Sequence, residues 1–250
     1  MSRRFEDKVA VISGGTRGIG RAVAERFTSE GASVALCYVR NGDAARATAA
    51  ELEGRGVKVL VSKVHLGEPD NIGRWFDEIA EVFGRVDFFI SNAASGVIKP
   101  LGELTARHFD WSMNTNARPL LLGAQRAAGL MTEGGSVVAL SSQGAGHVLP
   151  GYAAVGASKA ALESLVRYLA VELAPAVRVN AVSPGVVDTE ALRHFPMRAE
   201  MLAAARDKTP AGRLVDPTDI AGTVAWLCSD EATMTTGQTI TIDGGAALLA

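Results

Sequence analysis

Short apolar runs alternate with helical patterns along the whole chain, and this alternation limits the fold more than any other feature. The runs are Val9–Ser13 (VAVIS), Ser33–Val39 (SVALCYV), Val57–Val64, Val86–Ile90 (VDFFI), Ser136–Leu140 (SVVAL), Val177–Val182 (VRVNAV) and Gln238–Ile242 (QTITI). They have strand length and read as short apolar strands. Helical patterns fill the intervals: Gly20 to Glu30, residues 43–53, Ile72–Phe83, one or two helices within 103–131 with Pro119 near a first turn, Ala160–Glu172 and Pro217–Cys228. Strand–helix alternation of this kind predicts an α/β fold, a doubly wound parallel sheet with helices on both faces. With 250 residues, 48% hydrophobic and 21% charged, a single domain over 1–250 is expected. Residues 188–213 fit neither pattern cleanly and are expected to form a partly helical substrate lid, with Phe195, Met197, Met201 and Leu202 on its apolar underside.

A formal net charge of -2 gives no basis for a nucleic-acid or membrane-surface partner. The first residues, MSRRFEDK, are charged, and no apolar run reaches membrane-span length, so a cytoplasmic protein is expected. Cys37 and Cys228 stand apart in apolar surroundings; they read as small buried residues, and no metal site is expected.

Gly14, Gly18 and Gly20 lie between the first strand and the first helix, in the pattern G-x-x-x-G-x-G. Glycines there permit a tight turn and close approach of backbone to phosphate, while the helix N-terminus favours negative charge. The context makes the sheet Rossmann-like and the cofactor a dinucleotide. The second strand runs into Arg40, where an acidic residue would hold a ribose diol, and Arg17 lies inside the glycine loop. Two guanidinium groups beside the adenosine ribose favour a 2′-phosphate, hence NADPH over NADH.

The stretch Ser142–Lys159 (SQGAGHVLPGYAAVGASK) runs from the end of the fifth strand through a loop into a long helix. It concentrates Ser142, Tyr152 and Lys159. Seven residues at about 100° each bring Tyr152 and Lys159 within roughly 20° of one face, provided the helix already includes Tyr152. Taken alone, the trio also fits a capping hydroxyl, a packed aromatic and a solvated amine.

Together these segments resemble the short-chain dehydrogenase/reductase family over essentially the whole chain. GGTRGIG is similar to its TGxxxGIG, with Ser13 in the threonine place. Ser91-Asn92-Ala93-Ala94 resembles its NNAG. Ser142 and Lys159 match its serine and lysine, Asn116 its helix asparagine, and Ser183-Pro184-Gly185 with Thr189 the segment beside the nicotinamide. The family's tyrosine stands four residues before the lysine; here that place is Val155, and Tyr152 gives Y-x6-K instead. That spacing, with FGRVDFFISNAASGVIKP, HFDWSMNTNA, YAAVGASKAALESLVRYLAVEL, DTEALRHFP and TPAGRLV, resembles the NADPH-dependent enoyl-[acyl-carrier-protein] reductase III type.

The resemblance implies Tyr152, Lys159, Ser142 and Asn116 as catalytic residues. It implies cofactor contacts at Gly14, Thr16, Arg17, Gly18, Ile19, Gly20, Arg40, His65, Leu66, Asn92, Ala93, Ala94, Lys159, Pro184, Gly185, Val187 and Thr189, with His65 in the place of an aspartate near adenine. It further implies a homotetramer and an enoyl thioester carried by acyl carrier protein or coenzyme A, reduced at its 2,3 double bond. Two alternatives stay open: a 3-oxoacyl reductase using a displaced tyrosine, and an NADPH-binding protein without catalysis. A ketoreductase must hold the oxygen on the carbon that receives hydride. An enoyl thioester develops charge on an oxygen two carbons further off. Moving a tyrosine back three residues keeps its face within about 60° and shifts it roughly 4.5 Å along a helix.

Overall fold

The computed structural model of the chain describes residues 3–189 and 198–248. Its seven strands are β1 (Val9–Ile12), β2 (Ser33–Tyr38), β3 (Val59–Lys63), β4 (Phe88–Ser91), β5 (Gly135–Leu140), β6 (Val177–Pro184) and β7 (Thr239–Ile242). They pair in the order β3-β2-β1-β4-β5-β6-β7, every pair parallel. The chain winds outward from β1 in one direction, then crosses to β4 and winds outward in the other. The β1/β4 seam is therefore the switch point, where α/β sheets bind ligands at their strand C-termini.

Alternation along the buried strands divides the core between the two faces. Val11, Ala35, Val137, Ala139 and Val179 face α3 (Pro69–Phe83), α5 (Arg118–Ala128) and α6 (Ala153–Glu172), meeting Trp75, Phe76, Ile79, Leu120, Leu162 and Val166. Ala10, Ile12, Val34, Leu36 and Val138 face α1 (Gly18–Ser29), α2 (Gly42–Glu53) and α8 (Pro217–Leu227), meeting Val23, Phe27, Leu52, Ile220 and Val224. Phe27 is fully buried, stacked on Phe5 at 4.8 Å and edge-on to Phe88 at 5.5 Å. Burying one such ring contributes about 1.5–3 kcal/mol.

The structure bears out one sequence expectation with an added π turn and shifts the start of another element. The 103–131 region resolves into α4 (Ala106–Ser112), a π-helical turn over Met113–Ala117, and α5 with Pro119 in its first turn. A proline lacks the N–H that would close a turn, and the widened π turn ahead of it absorbs the mismatch. The long helix α6 begins at Ala153, seven residues earlier than its apolar periodicity indicates, and Tyr152 is its N-cap with φ -95 and ψ 6. The same-face argument thus meets a tyrosine just outside the helix.

In the 188–213 region the structure describes α7 (Arg198–Lys208), where Leu202 is 9% exposed. Val187 pairs with Val215, joining the two ends of the segment, and Arg198 forms an ion pair with Asp188. Phe195 and Met197 lie outside the described residues. No helix among the described residues is long and apolar enough to cross a membrane.

Candidate active site

At the switch point the strand ends are laced together. Ser13 Oγ accepts from the backbone N–H groups of Asn92 and Ala93, both at 2.9 Å, while Asn92 Nδ2 donates to Ser13 O at 2.8 Å. Above this seam runs the glycine loop. Gly14 and Gly18 hold φ of +66° and +54°, the left-handed region glycine adopts without cost. A Cβ on Gly20 would stand 2.4 Å from Gly14 O and 2.5 Å from Asn92 Nδ2, so helix α1 sits this close only because residue 20 is glycine. Arg17 caps α1 with extended backbone and no side-chain capping bond, and the first turn carries no acidic residue. The first N–H groups of α1 thus keep their positive field for an anionic ligand. This cradle fits a dinucleotide pyrophosphate.

The remaining predicted cofactor residues follow the C-terminal ends of β1 to β4 and β6. Thr16 is buried, and its carbonyl accepts from Thr48 Oγ1 at 3.3 Å. Ile19 packs among the residues under α1. Thr189 lies over Gly18, its Cγ2 3.7 Å from where a Cβ would be. Pro184 ends β6, and Gly185 N–H donates to Ile242 O at 2.8 Å, so close to Asp243 that a Cβ on Gly185 would lie 2.9 Å away. Arg17 and Arg40 are both exposed, at the ends of the glycine loop and β2. Leu66 is buried, and Ala94 follows Ala93 into the loop after β4. His65 stacks edge-on to Trp111 at 5.8 Å, with Nδ1 buried and unpartnered.

The catalytic candidates converge beyond the C-terminus of β5. Tyr152 Oη donates to Ser142 Oγ at 3.4 Å. Lys159 is 4% exposed, and its Nζ donates to Leu140 O, two residues before Ser142, at 2.6 Å. Burial lowers the Lys159 ammonium to about 8; the charge of Glu163, one turn on, acts in the opposite sense. Asn116 occupies the π turn and is 1% exposed. Its Nδ2 donates to Ser158 Oγ at 2.8 Å, beside Lys159, and its Oδ1 accepts from Ser95 N–H at 2.9 Å. Val155, in the usual place of the phenol, is buried against Gly96. His147 is exposed in the intervening loop.

Three glycines of this site carry no recognisable motif. Gly144 lies against the Tyr152 ring, where a Cβ would come within 2.5 Å of Cδ1 and Cε1. At Gly96 a Cβ would fall 2.3 Å from Val155 Cγ2, and at Gly151, where φ is +73°, 3.1 Å from Ile98 Cγ2. The sequence signal for all three is the bare residue type.

A glycine cradle at the switch point, together with a serine, a phenol and a buried lysine, is the arrangement of a nicotinamide-dependent oxidoreductase of Rossmann type. A family model described as Enoyl-(Acyl carrier protein) reductase matches residues 14–247. The chain is 40% identical to 1-cyclohexenylcarbonyl-CoA reductase of Streptomyces collinus, over 97% of this chain and 88% of that protein. A short-chain dehydrogenase of Burkholderia cenocepacia in complex with NADP superposes with a TM-score of 0.92 at 33% identity, covering 98% of this chain and 99% of that one. A 7α-hydroxysteroid dehydrogenase, complexed with NADH and 7-oxo glycochenodeoxycholic acid, also superposes with a TM-score of 0.92, at 30% identity and with 98% and 96% coverage. The chain belongs to the short-chain dehydrogenase/reductase family.

Proposed function

We propose that this chain reduces the 2,3 double bond of trans-2-enoyl thioesters with NADPH, the acyl group being carried by acyl carrier protein or coenzyme A. The observation that carries the reading is the position of the phenol: Tyr152 reaches Ser142 at 3.4 Å, while the place three residues nearer Lys159 holds the buried Val155. The matching family description and the coenzyme A thioester reductase of Streptomyces collinus support the same chemistry.

NADPH supplies the hydride when bound. Arg17 and Arg40 are assigned to its 2′-phosphate, and Gly14, Gly18 and Gly20 to its pyrophosphate. The NADP complex of the Burkholderia cenocepacia relative supports this choice. As hydride reaches the β-carbon, negative charge develops on the thioester oxygen. With the thioester bound, Tyr152 turns its single O–H from Ser142 Oγ to that oxygen, a contact whose removal costs on the order of a hundredfold or more in kcat. Ser142 orients the phenol and the thioester. Lys159 binds the cofactor ribose, and its charge strengthens the phenol as a donor. Asn116 has one amide proton on Ser158 and a second to offer an ordered water on the path of proton resupply. Residues 188–213 are assigned as the lid over the acyl chain.

The test is side-by-side oxidation of NADPH and NADH with crotonyl and acetoacetyl thioesters. Turnover of the crotonyl substrate, faster with NADPH, is expected. Turnover of the acetoacetyl substrate alone would overturn the reading in favour of carbonyl reduction.

A further inference from the structure

We infer that residues 95–99 form a strap that positions the Tyr152 phenol, with Ile98 and Gly151 as its fastening; the functional weight of this device rests on the proposed role of Tyr152. A tyrosine inside a helix is held by backbone bonds on both sides. Tyr152 has helical support on one side only. Its carbonyl accepts from Gly156 N–H at 2.7 Å, but its own N–H turns back to Leu149 O at 3.1 Å. Residues 147–151 before it form neither helix nor strand, and Val148 is 96% exposed. The position of the phenol therefore depends on whatever holds that loop.

The strap holds it. Lys99 N–H donates to Gly151 O at 2.9 Å. Gly151 has φ +73°, and a Cβ there would lie 3.1 Å from Ile98 Cγ2 and 3.4 Å from Lys99 N, so the two backbones touch directly. The other end of the strap is equally fixed. It leaves the Asn92–Ala94 segment after β4, bonds Asn116 through Ser95 N–H, and passes Val155 at Gly96, where a Cβ would fall 2.3 Å from Val155 Cγ2. One five-residue segment thus touches the asparagine, the valine that replaces the usual phenol, and the turn before the phenol in use. Tyr152 stands at the N-cap and not within the helix, and the strap supplies the second fixed point beside it.

The chain has three tyrosines, Tyr38, Tyr152 and Tyr168, so the full-length protein labelled with 3-fluorotyrosine gives a simple ¹⁹F spectrum in which Tyr152→Phe assigns one resonance. With NADPH bound, Ile98→Ala and Gly151→Ala should each shift or broaden the Tyr152 resonance and leave Tyr38 and Tyr168 in place. Crotonyl-thioester kcat should fall about tenfold to a hundredfold, as expected for misplacement of a catalytic group, with NADPH affinity unchanged. Gly151→Ala adds backbone strain of its own; Ile98→Ala, at a partly exposed side chain, does not. An unmoved Tyr152 resonance in both variants overturns the inference. A moved resonance in a protein that never reduces enoyl thioesters upholds the strap and removes the proposed substrate.

Discussion

Lys159 shows how the fold sets chemistry at a single residue. Its ammonium is enclosed next to Leu140 O, and burial lowers its pKa from 10.5 to about 8. Between those values the unfolded chain binds a proton that the folded chain has released. Stability of the ligand-free protein therefore rises with pH across the window from about 8 to 10.5, as the cost of burying the charge disappears. Activity should run the other way if the ammonium is the working form. We expect kcat/KM to fall as pH rises through about 8, and Glu163→Gln to move that fall to lower pH, because the Glu163 charge helps retain the proton. A pH–rate profile unchanged by Glu163→Gln contradicts this. Ser142, Tyr152 and Lys159 were legible as a group from the sequence because few other residues in the stretch can move a proton. Gly96, Gly144 and Gly151 were not, because what makes each necessary is an atom brought near by a distant segment: Val155 Cγ2, the Tyr152 ring and Ile98 Cγ2. Cys37 and Cys228 are buried, and burial pushes both thiols up to about 12, which matches their reading as small core residues.

At the scale of elements, strand and helix identities were readable because apolar runs and 3.6-residue periodicity report burial directly. The start of α6 was not: Ala153 to Lys159 is small and mixed, and the helix there is fixed by packing against Gly144 and Gly96, which no local pattern encodes. The π turn at Met113–Ala117 escaped for a related reason, since Pro119 signals a break without specifying how the chain repairs it. Val155→Tyr restores the family's spacing but puts a ring where Gly96 leaves no room for one extra carbon. Crotonyl-thioester turnover should drop at least about tenfold while NADPH binding, measured by fluorescence, persists. Undiminished turnover would show that the valine has no part in selecting the substrate.

For the whole molecule, the doubly wound topology followed from strand–helix alternation, and it brings the strand C-termini and the loops beyond them to one end of the sheet, with Asn116 and Lys159 supplied by the π turn and helix α6. Assembly is a separate question. Phe109 and Trp111 on α4, and Tyr168 and Val171 on α6, are 40–78% exposed, and the two helices pack together. Large apolar side chains exposed on these helices favour a partner surface, and the homotetramer that the family resemblance implies is the assembly to test. Light scattering at micromolar concentration should give about four times the 26.0 kDa of one chain. A mass of one chain counts against assembly.

The central claim is that the displaced Tyr152 is the oxyanion donor of an enoyl reductase. Tyr152→Phe keeps the ring against Gly144 and removes only the hydroxyl on Ser142. Steady-state kinetics with crotonyl thioester should show kcat reduced by about a hundredfold or more with NADPH affinity unchanged, because the lost contact strengthens in the transition state. An unchanged kcat in the folded, NADPH-bound variant would contradict the account.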